Sequence, residues 1–396
     1  DVYKRQCKGV PKSNCLTKEQ RLSLQMDEFM NRRYEFRYNT QIGEVEYRER
    51  FSFQFYFHPI DKRAQNSIML DAQSEGIGVW DRDIDRYLHS NRVPIYNPLE
   101  EFLFHLPHWD GKDRIHALAN RVPCKNPHWE LLFHRWFLNM VSHWRGVDKM
   151  HANNTSPILV GRQGTHKSTF CREMIPPALR AYYTDSIDFS HKRDAELYLN
   201  RFALINIDEF DQITLPQQGF LKHILQKPVV NLRKPHGRSV LELQRYASFI
   251  GTSNQKDLLT DPSGSRRFIC IEVTGNIDTT QPIDYEQLYA QAMYEIHHGE
   301  RYWFDSEDEQ IMTENNREFE QTPAMLQLFY QYFKTAQTKE EGEFLTPVEI
   351  LNYLKKKSGM SLSDNKVYHF GRLLQKCGIP SKHTYKGTVY QVIKLS

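Results

Sequence analysis

The spacing of hydrophobic residues changes along this 396-residue chain. Between residues 17 and 37 apolar side chains recur every three or four positions, which predicts an amphipathic helix. The residues on its apolar side are Leu22, Met26, Phe29 and Met30. Aromatic residues alternate with other residues from Tyr34 to Tyr38 and again from Phe51 to Phe57, as in strands. We interpret these aromatics as a half-buried sheet face, the commoner role, rather than as a surface for stacking bases.

The middle of the chain alternates short apolar runs with helical stretches, from residue 156 to about residue 275. This alternation is typical of βαβ units, in which helices flank a parallel sheet. The predicted strands are 158–160, 202–207, 249–252 and 268–271. Upstream, a short helix ending at Pro107 and a long amphipathic helix from Trp129 to Val147 predict a helical lead-in.

Composition narrows the class of protein. The chain is 39% hydrophobic and 26% charged, as expected for globular packing. No apolar run approaches the ~18 residues of a membrane span, and no apolar signal core is present, so we expect a cytoplasmic protein without a membrane partner. The six cysteines form no CxxC pair, which predicts reduced thiols. Because the first residue is Asp1 and not methionine, we expect a fragment of a longer reading frame.

The net charge of +3 is unevenly distributed. Residues 299–343 hold eleven acidic and four basic residues, whereas residues 344–396 hold nine basic and two acidic ones. The change predicts a boundary near Glu343 and a basic module with a polyanionic partner, or else a solvated surface. The module has the order helix, helix, β-hairpin, a winged-helix-like outline that serves either DNA binding or protein docking. Its candidate DNA contacts are Lys366, Arg372 and Lys376.

A glycine-containing turn follows the first predicted strand and leads into Lys-Ser. The predicted phosphate-binding residues are Gly161, Arg162, Gln163, Gly164, Thr165, His166, Lys167, Ser168 and Thr169. In such a loop the backbone N–H groups converge on phosphates, the lysine reaches the β/γ-oxygens and the hydroxyl ligates Mg²⁺. Lys167 and Ser168 would take these roles, with ATP and Mg²⁺ as ligands. His166 replaces the usual glycine, and Gly164 would supply a left-handed turn. The alternative is a chance glycine turn.

Polar residues also end the next two predicted strands. Asp208 and Glu209 follow strand 202–207, and Asn254 follows strand 249–252. Ligands of open α/β sheets bind at the carboxyl ends of the strands. Asp208 would hold Mg²⁺ through water, and Glu209 would polarise the water that attacks the γ-phosphate. Asn254 would orient the same water.

Two further segments are rich in cations. Residues 229–245 predict a β-hairpin around a Pro-His-Gly turn. Its tip residues Lys234, His236 and Arg238 would grip single-stranded DNA in the pore of a ring, unless the hairpin is merely solvated. Arg266 and Arg267 come at the start of the last predicted strand, where alternation would point them apart. One would reach a neighbouring subunit's γ-phosphate and the other would form a structural ion pair.

The order of these motifs resembles the virulence-associated protein E family. The segment Leu-Pro-His-Trp-Asp-Gly-Lys-Asp-Arg at residues 106–114 is similar to that family's helical lead-in, and the resemblance covers about residues 95–275. It implies a P-loop ATPase similar to superfamily 3 helicases and AAA+ proteins, found on phages, plasmids and other mobile elements. It also implies a primase as a partner or fused domain. The resemblance to superfamily 3 enzymes further implies a hairpin that bears Lys234 and His236.

We therefore expect an α/β fold with a P-loop NTPase core, a helical N-terminal region and a C-terminal winged-helix-like module. The expected domains are an α+β region (1–95), a helical lead-in (96–152), the ATPase core (153–298), an acidic helical linker (299–343) and the basic module (344–396). The first hypothesis is an ATP-dependent DNA helicase or translocase of mobile-element replication. It would form a homo-oligomeric, for example hexameric, ring on single-stranded or forked DNA. The second is a nucleotide-switched DNA-binding or regulatory protein without processive unwinding, which His166 favours.

Overall fold

The computed structural model describes residues 16–53, 55–146, 151–232, 241–259, 262–321, 324–335, 342–359, 367–385 and 387–395. The chain divides into two compact units. Unit 1 comprises Asp1–Gln255 and Ser263–Asn316, and unit 2 comprises Lys256–Pro262 and Arg317–Ser396.

The α-helices of the described residues are α1 (Lys18–Arg33), α2 (Lys62–Ser74), α3 (Asp81–Leu88), α4 (Pro98–Phe104), α5 (Arg114–Ala119), α6 (Trp129–Trp144), α7 (Lys167–Glu173), α8 (Lys192–Arg201), α9 (Leu215–Leu225), α10 (Tyr285–His297), α11 (Ser306–Asn315), α12 (Ala324–Tyr332), α13 (Pro347–Ser358) and α14 (Val367–Lys376). The strands are β1 (Tyr34–Asn39), β2 (Glu44–Glu49), β3 (His58–Pro59), β4 (Ile95–Tyr96), β5 (Ser156–Val160), β6 (Tyr183–Thr184), β7 (Leu204–Ile207), β8 (Val229–Leu232), β9 (Leu241–Gln244), β10 (Ser248–Ser253), β11 (Phe268–Glu272), β12 (Phe333–Thr335), β13 (Glu343–Leu345), β14 (Ser381–Thr384) and β15 (Gly387–Lys394). Short 3₁₀ helices span Pro177–Tyr182, Phe210–Gln212, Pro262–Arg267 and Asn316–Phe319.

The N-terminal part of unit 1 packs α1 against a small sheet of order β3-β2-β1-β4. Helix α1 begins where Thr17 and Gln20 form a capping box, each side chain accepting the other residue's backbone N–H. It ends at Arg33 and not at residue 37, because the backbone becomes extended at Tyr34 and continues as β1. Phe29 and Met30 of its apolar side are buried, as the spacing predicts.

The aromatic run that follows β2 is not a strand. Phe51, Phe53, Phe55 and Tyr56 are 88, 96, 72 and 78% exposed, and none of the described residues from 50 to 57 is in a strand. The interpretation as a half-buried sheet face is therefore wrong for residues 51–57. It is confirmed for the alternating aromatics of residues 34–38, which lie in β1 with Tyr34 and Phe36 buried. Alternation of aromatic residues is compatible with a strand but does not create one, because a strand also needs a neighbour to pair with.

The centre of unit 1 is a five-stranded sheet of order β11-β5-β10-β7-β6 in which all neighbouring strands are parallel. Strands β5, β7 and β10 are buried along their whole length. Their nearly continuous apolar runs are typical of parallel sheets covered on both faces. These three strands and β11 match the predicted strands to within two residues at each end. The sequence did not predict β6, because two residues show no periodicity.

The order of the strands brings three carboxyl ends together. Strand β10 lies between β5 and β7, with Ser253 opposite Val160 and Gly251 opposite Ile207. A Cβ atom at Gly251 would lie 2.7 Å from Cδ1 of Ile158 and 3.2 Å from the Ile207 carbonyl oxygen, so the close approach requires glycine. The residues that follow β5, β7 and β10 consequently lie at one edge of the sheet.

The predicted lead-in helix is α6, which ends at Trp144 rather than at Val147. Leu132, Trp136, Met140 and Trp144 of this helix are buried in the core of unit 1. The ring of Tyr289 on α10 stacks on Trp144 at 5.1 Å, and its hydroxyl donates to the Met174 carbonyl just after α7 at 2.8 Å. Helix α10 therefore packs against α6 and is hydrogen-bonded to the segment that ends α7.

Unit 2 has a core of its own, formed by α12, α13 and α14 against a sheet in which β15 pairs with β12, β13 and β14. Phe329, Phe333, Leu354 and Phe370 are buried there. The predicted order helix, helix, hairpin is present as α13, α14 and the antiparallel pair β14 and β15. The role of this module in DNA binding stays a prediction.

Candidate nucleotide-binding site

The glycine loop, which we define as residues 161–166, joins β5 to α7. Gly164 has φ of +82°, so it supplies the predicted left-handed turn. His166 is also left-handed, with φ of 64°, a conformation that costs an L-residue about 1–2 kcal/mol. Its carbonyl oxygen accepts the N–H of Phe170 at 2.9 Å and so starts α7. The structure thus accommodates a side chain where glycine is usual by holding His166 at the helix start.

Lys167 begins α7 and folds back over the glycine loop. Its Nζ donates to the carbonyl oxygens of Gly161 at 2.8 Å and Arg162 at 2.7 Å, and to Oδ1 of Asn254 at 3.3 Å. Only 6% of the residue is exposed, and this burial lowers the pKa of Lys167, while the carboxylate of Asp208 opposes the shift. The ammonium group is therefore held between the ends of β5 and β10.

The other predicted phosphate-loop residues surround this lysine. Arg162, Gln163, Ser168 and Thr169 are exposed. Thr165 is buried, and its hydroxyl donates to the Arg162 carbonyl at 2.9 Å, which closes the loop on itself.

Asp208 is the meeting point of three elements. Its Oδ1 accepts the hydroxyl of Ser168 on α7 at 2.9 Å, and the hydroxyl of Thr252 on β10 donates to the same oxygen. The structure thus brings together the two predicted metal ligands, Ser168 and Asp208. Thr252 was not predicted as a site residue, although a hydroxyl at the end of a predicted strand is a signal for one.

Magnesium is compatible with these groups. It prefers oxygen ligands and is commonly held by one or two carboxylates together with water and substrate phosphates. The Ser168 hydroxyl and the Asp208 carboxylate would supply such oxygens. Within the described residues no group of three or more His, Cys, Asp or Glu could hold a metal by itself.

Glu209 is exposed and left-handed, with φ of 54°. Among the described residues, His166 and Glu209 are the non-glycine residues with positive φ. Residues in such sparsely populated conformations cluster at functional sites, where the surrounding structure holds them. The strained backbone therefore points to the same site as the sequence motifs.

Asn254 comes directly after β10, and its Oδ1 accepts from Lys167 Nζ. A second acid, Asp211, contacts this strand end: its Oδ1 accepts the hydroxyl of Ser253 at 2.7 Å and the backbone N–H of Asn254 at 3.3 Å. The sequence analysis did not select Asp211. Its spacing of three residues from Asp208 gave no indication that it would contact the end of another strand.

The two candidate arginines belong to the 3₁₀ helix Pro262–Arg267, directly before β11, and not to the strand itself. The argument from strand alternation is therefore wrong for this pair. Arg266 Nη1 donates to Oε2 of Glu309 on α11 at 2.8 Å, with the side chains 47 and 29% exposed. This is an ion pair within unit 1, the structural role that the sequence analysis assigned to one of the two.

The predicted basic hairpin has the expected arms. Strands β8 and β9 pair antiparallel, with Leu232 opposite Leu241. The predicted DNA contacts at its tip, Lys234, His236 and Arg238, lie outside the described residues.

Arg245 follows β9 and is completely buried. Its guanidinium group donates to five backbone carbonyl oxygens, those of Ala247, Ile224, Leu225, Lys227 and Asn153. Burial lowers the pKa of Arg245 to about 9, which leaves the group charged at neutral pH. The charge lies against the last carbonyls of α9, where the helix dipole favours a cation. Arg245 thus joins the base of the hairpin to α9 and to the segment before β5.

In unit 2, Arg372 lies on α14 and donates to the hydroxyl of Tyr368 at 2.8 Å. Lys376 ends the same helix, and its side chain lies outside the described part of the structure, as does Lys366. The predicted DNA-binding surface of this module thus remains a prediction.

Within the described residues, no helix is long and apolar enough to cross a membrane.

Together the fold and the site define a mixed α/β protein in which a glycine loop, two acids and an amide meet at the carboxyl edge of a parallel sheet. The sequence model of the virulence-associated protein E-like domain matches residues 103–321, more than half of the chain. The chain therefore belongs to the virulence-associated protein E-like domain family. Residues 322–392 match a second family, a domain of unknown function called DUF3874.

Solved structures of the NrS-1 C-terminal region are similar to this chain. One apo structure of its residues 305–718 has a TM-score of 0.47 and 11% sequence identity, and the match covers 94% of this chain and 98% of that chain. An A-form apo structure has a TM-score of 0.45 and 12% identity, covering 94% of this chain and 99% of that chain. No curated protein matches the chain.

Proposed function

We propose that this chain binds Mg-ATP at the glycine loop and hydrolyses it to drive a ring-forming DNA helicase or translocase of mobile-element replication. The observation that carries the proposal is the convergence of the ends of β5, β7 and β10. There Lys167 contacts Asn254, and Asp208 accepts the hydroxyl of Ser168. A cation, a hydroxyl, a carboxylate and an amide in this arrangement match the needs of phosphoryl transfer, which depends on positioning and charge stabilisation.

Each residue has a distinct role in this proposal. Lys167 would exchange its bonds to the loop carbonyls for the β/γ-phosphate oxygens and neutralise their charge. Ser168 and Asp208 would hold Mg²⁺, which supplies further charge neutralisation when bound. Glu209 would orient and polarise the attacking water, and Asn254 would orient the same water. In the proposal these groups act in one site because β10 is inserted between β5 and β7.

The ring and the DNA are the finer part of the proposal. Arg266 or Arg267 would act on a neighbouring subunit's γ-phosphate, for which Arg266 would have to exchange its partner Glu309. The hairpin built on β8 and β9 would carry its cationic tip to single-stranded or forked DNA. The module of α13, α14, β14 and β15 would anchor the DNA, and a primase would be a partner or a fused domain.

A second candidate is a nucleotide-switched DNA-binding or regulatory protein that binds ATP without processive unwinding. The observation in its favour is the glycine loop itself: His166 is in a left-handed conformation, and Lys167 is bonded to the loop carbonyls. A loop that must rearrange for each nucleotide would favour slow turnover, which suits a switch.

ATP hydrolysis measured with and without single-stranded DNA tests both candidates. We expect DNA-stimulated hydrolysis by the wild-type protein and by Lys62→Ala, a control on the exposed start of α2, and none by folded Lys167→Ala. Nucleotide binding with neither hydrolysis nor DNA stimulation would favour the switch. Undiminished hydrolysis by Lys167→Ala would contradict the assignment of the glycine loop.

A further inference from the structure

Asp211 has no role in the proposed chemistry, yet it contacts the strand end that carries Asn254. It lies in the 3₁₀ helix Phe210–Gln212 after β7 and is half-buried. Its Oδ1 accepts two donors from β10 and the residue after it, the Ser253 hydroxyl at 2.7 Å and the Asn254 N–H at 3.3 Å. The Ser253 hydroxyl also lies 2.8 Å from the Gln255 carbonyl oxygen. Because it has one proton and a carboxylate is the stronger acceptor, the hydroxyl donates to Asp211.

Ser253 connects this acid to the glycine loop. The residue is 1% exposed, and its carbonyl oxygen accepts the N–H of Gly161, the first residue of the loop, at 3.0 Å. Asn254 makes the next connection, because its Oδ1 lies 3.3 Å from Lys167 Nζ. A continuous set of hydrogen bonds therefore runs from Asp211 through the end of β10 to the loop and its lysine.

Asn254 depends on Asp211 for its placement. The residue is exposed and lies just beyond the last hydrogen-bonded residue of β10. Its own backbone N–H donates to Asp211, and its neighbour Ser253 is held by the same carboxylate oxygen. Without Asp211 both donors lose a charged acceptor, and the backbone at Asn254 loses a hydrogen bond that holds it at the end of β10.

We propose that Asp211 is a positioning residue that holds the end of β10 so that Asn254 is aligned with Lys167 at the γ-phosphate. This inference rests on the proposed ATP hydrolysis. In this proposal Asp211 contacts neither the nucleotide nor the attacking water. It acts through Ser253 and Asn254, so its removal slows the chemical step while nucleotide binding by the glycine loop persists.

The test compares Asp211→Ala, Asp211→Asn, Asn254→Ala and the double variant Asp211→Ala/Asn254→Ala with the wild-type protein. Asp194→Ala, on the exposed first turn of α8, is the matched surface control. Displacement of a catalytic group by about 1 Å costs roughly 100-fold in rate, so we expect a loss of that order in kcat for Asp211→Ala. The KM for ATP should change less than about threefold, since the phosphate contacts are retained. Asp211→Asn retains an acceptor oxygen and should recover most of kcat.

The double variant separates positioning from a general structural role. If Asp211 acts through Asn254, the double variant is no slower than Asn254→Ala alone, because both substitutions remove the same contribution of Asn254 to kcat. Three outcomes would overturn the inference: additive losses in kcat, an unchanged kcat in Asp211→Ala, or equal losses in Asp211→Ala and Asp211→Asn. If the wild-type protein still hydrolyses ATP, the proposed function stands in each of these cases. A wild-type protein that binds but never hydrolyses ATP would overturn both.

Discussion

Replacing Arg245 by methionine should destabilise unit 1 severely, because this arginine is a buried cation whose partners are all backbone carbonyl oxygens. No part of its surface is exposed, and its donors reach five carbonyls, two of them at 2.7 Å. Methionine fills a similar length of space with an apolar side chain. The substitution therefore removes the donors and the charge while disturbing the packing little.

The magnitude follows from the number of bonds. A hydrogen bond that involves a charged group contributes about 1.5–3 kcal/mol, and a buried acceptor left without a donor costs about 1–3 kcal/mol. The desolvation of the guanidinium group, which lowers the pKa of Arg245 to about 9, offsets part of this loss. We therefore expect a net loss of ~3–5 kcal/mol in the free energy of unfolding, comparable to breaking a buried ion pair.

Thermal unfolding followed by circular dichroism measures this loss. For a domain of this size a change of 1 kcal/mol shifts Tm by about 2–4 °C, so we expect Tm to fall by roughly 6–20 °C. Arg245→Lys, which keeps the charge but has fewer donors, should fall between the wild type and Arg245→Met. Arg63→Met, on the exposed surface of α2, is the control and should change Tm little.

The pH dependence provides a second check. Because the pKa of Arg245 in the folded protein is about 9, the group keeps its proton in both the folded and the unfolded states between pH 6 and 8. The loss caused by Arg245→Met should then be equal at pH 6 and pH 8. A Tm within about 2 °C of the wild type would refute the reasoning, since it would mean that the carbonyls do not need this cation.

Three further sets of substitutions test the proposed chemistry. Glu209→Gln should bind ATP but fail to turn it over, because the amide cannot accept a proton from the attacking water. A nucleotide-binding assay measures the first property and a phosphate-release assay the second. Normal phosphate release would assign the role of Glu209 to another residue. A variant in which Lys234, His236 and Arg238 are all changed to alanine should keep basal ATPase activity and lose stimulation by single-stranded DNA. Retained stimulation would count against a DNA contact at the hairpin tip. Alanine at Arg266 or Arg267 should reduce turnover about 1000-fold with ATP affinity unchanged if that residue acts on a neighbour. Mixing that variant with Glu209→Gln should then restore part of the activity, whereas mixtures no more active than their components would argue against action between subunits.

The outcome at the aromatic run shows where sequence reasoning failed. The residues from Phe51 to Phe57 have the alternation of a strand, but β2 ends at Glu49 and β3 is only two residues long. Alternation reports how side chains would be distributed if the backbone were extended and paired. It contains no information on whether a partner strand is available. The boundary of α6, which ends before the predicted Val147, is a smaller difference.

The glycine loop shows the opposite case. A buried strand, a left-handed Gly164 and a turn leading into Lys167 and Ser168 were all predicted from one short stretch of sequence. Each of these features depends on backbone preferences and on neighbours a few positions away. The same is true of the acids, since a carboxylate directly after a buried strand must leave the sheet at its carboxyl edge.

Sequence by itself therefore determined the parallel-sheet class, four of the five strands of the central sheet and the candidate groups at their ends, because these depend on local periodicity and on chemistry at single positions. Only the tertiary structure decided that β10 separates β5 from β7. That insertion brings Thr252 to Asp208, Ser253 to Asp211 and Asn254 to Lys167. The tertiary structure also surrounds Arg245 with carbonyl oxygens from three separate segments of the chain, at residues 153, 224–227 and 247. Such contacts join residues tens of positions apart, and their geometry is set by the packing of whole elements, which no local pattern in the chain encodes.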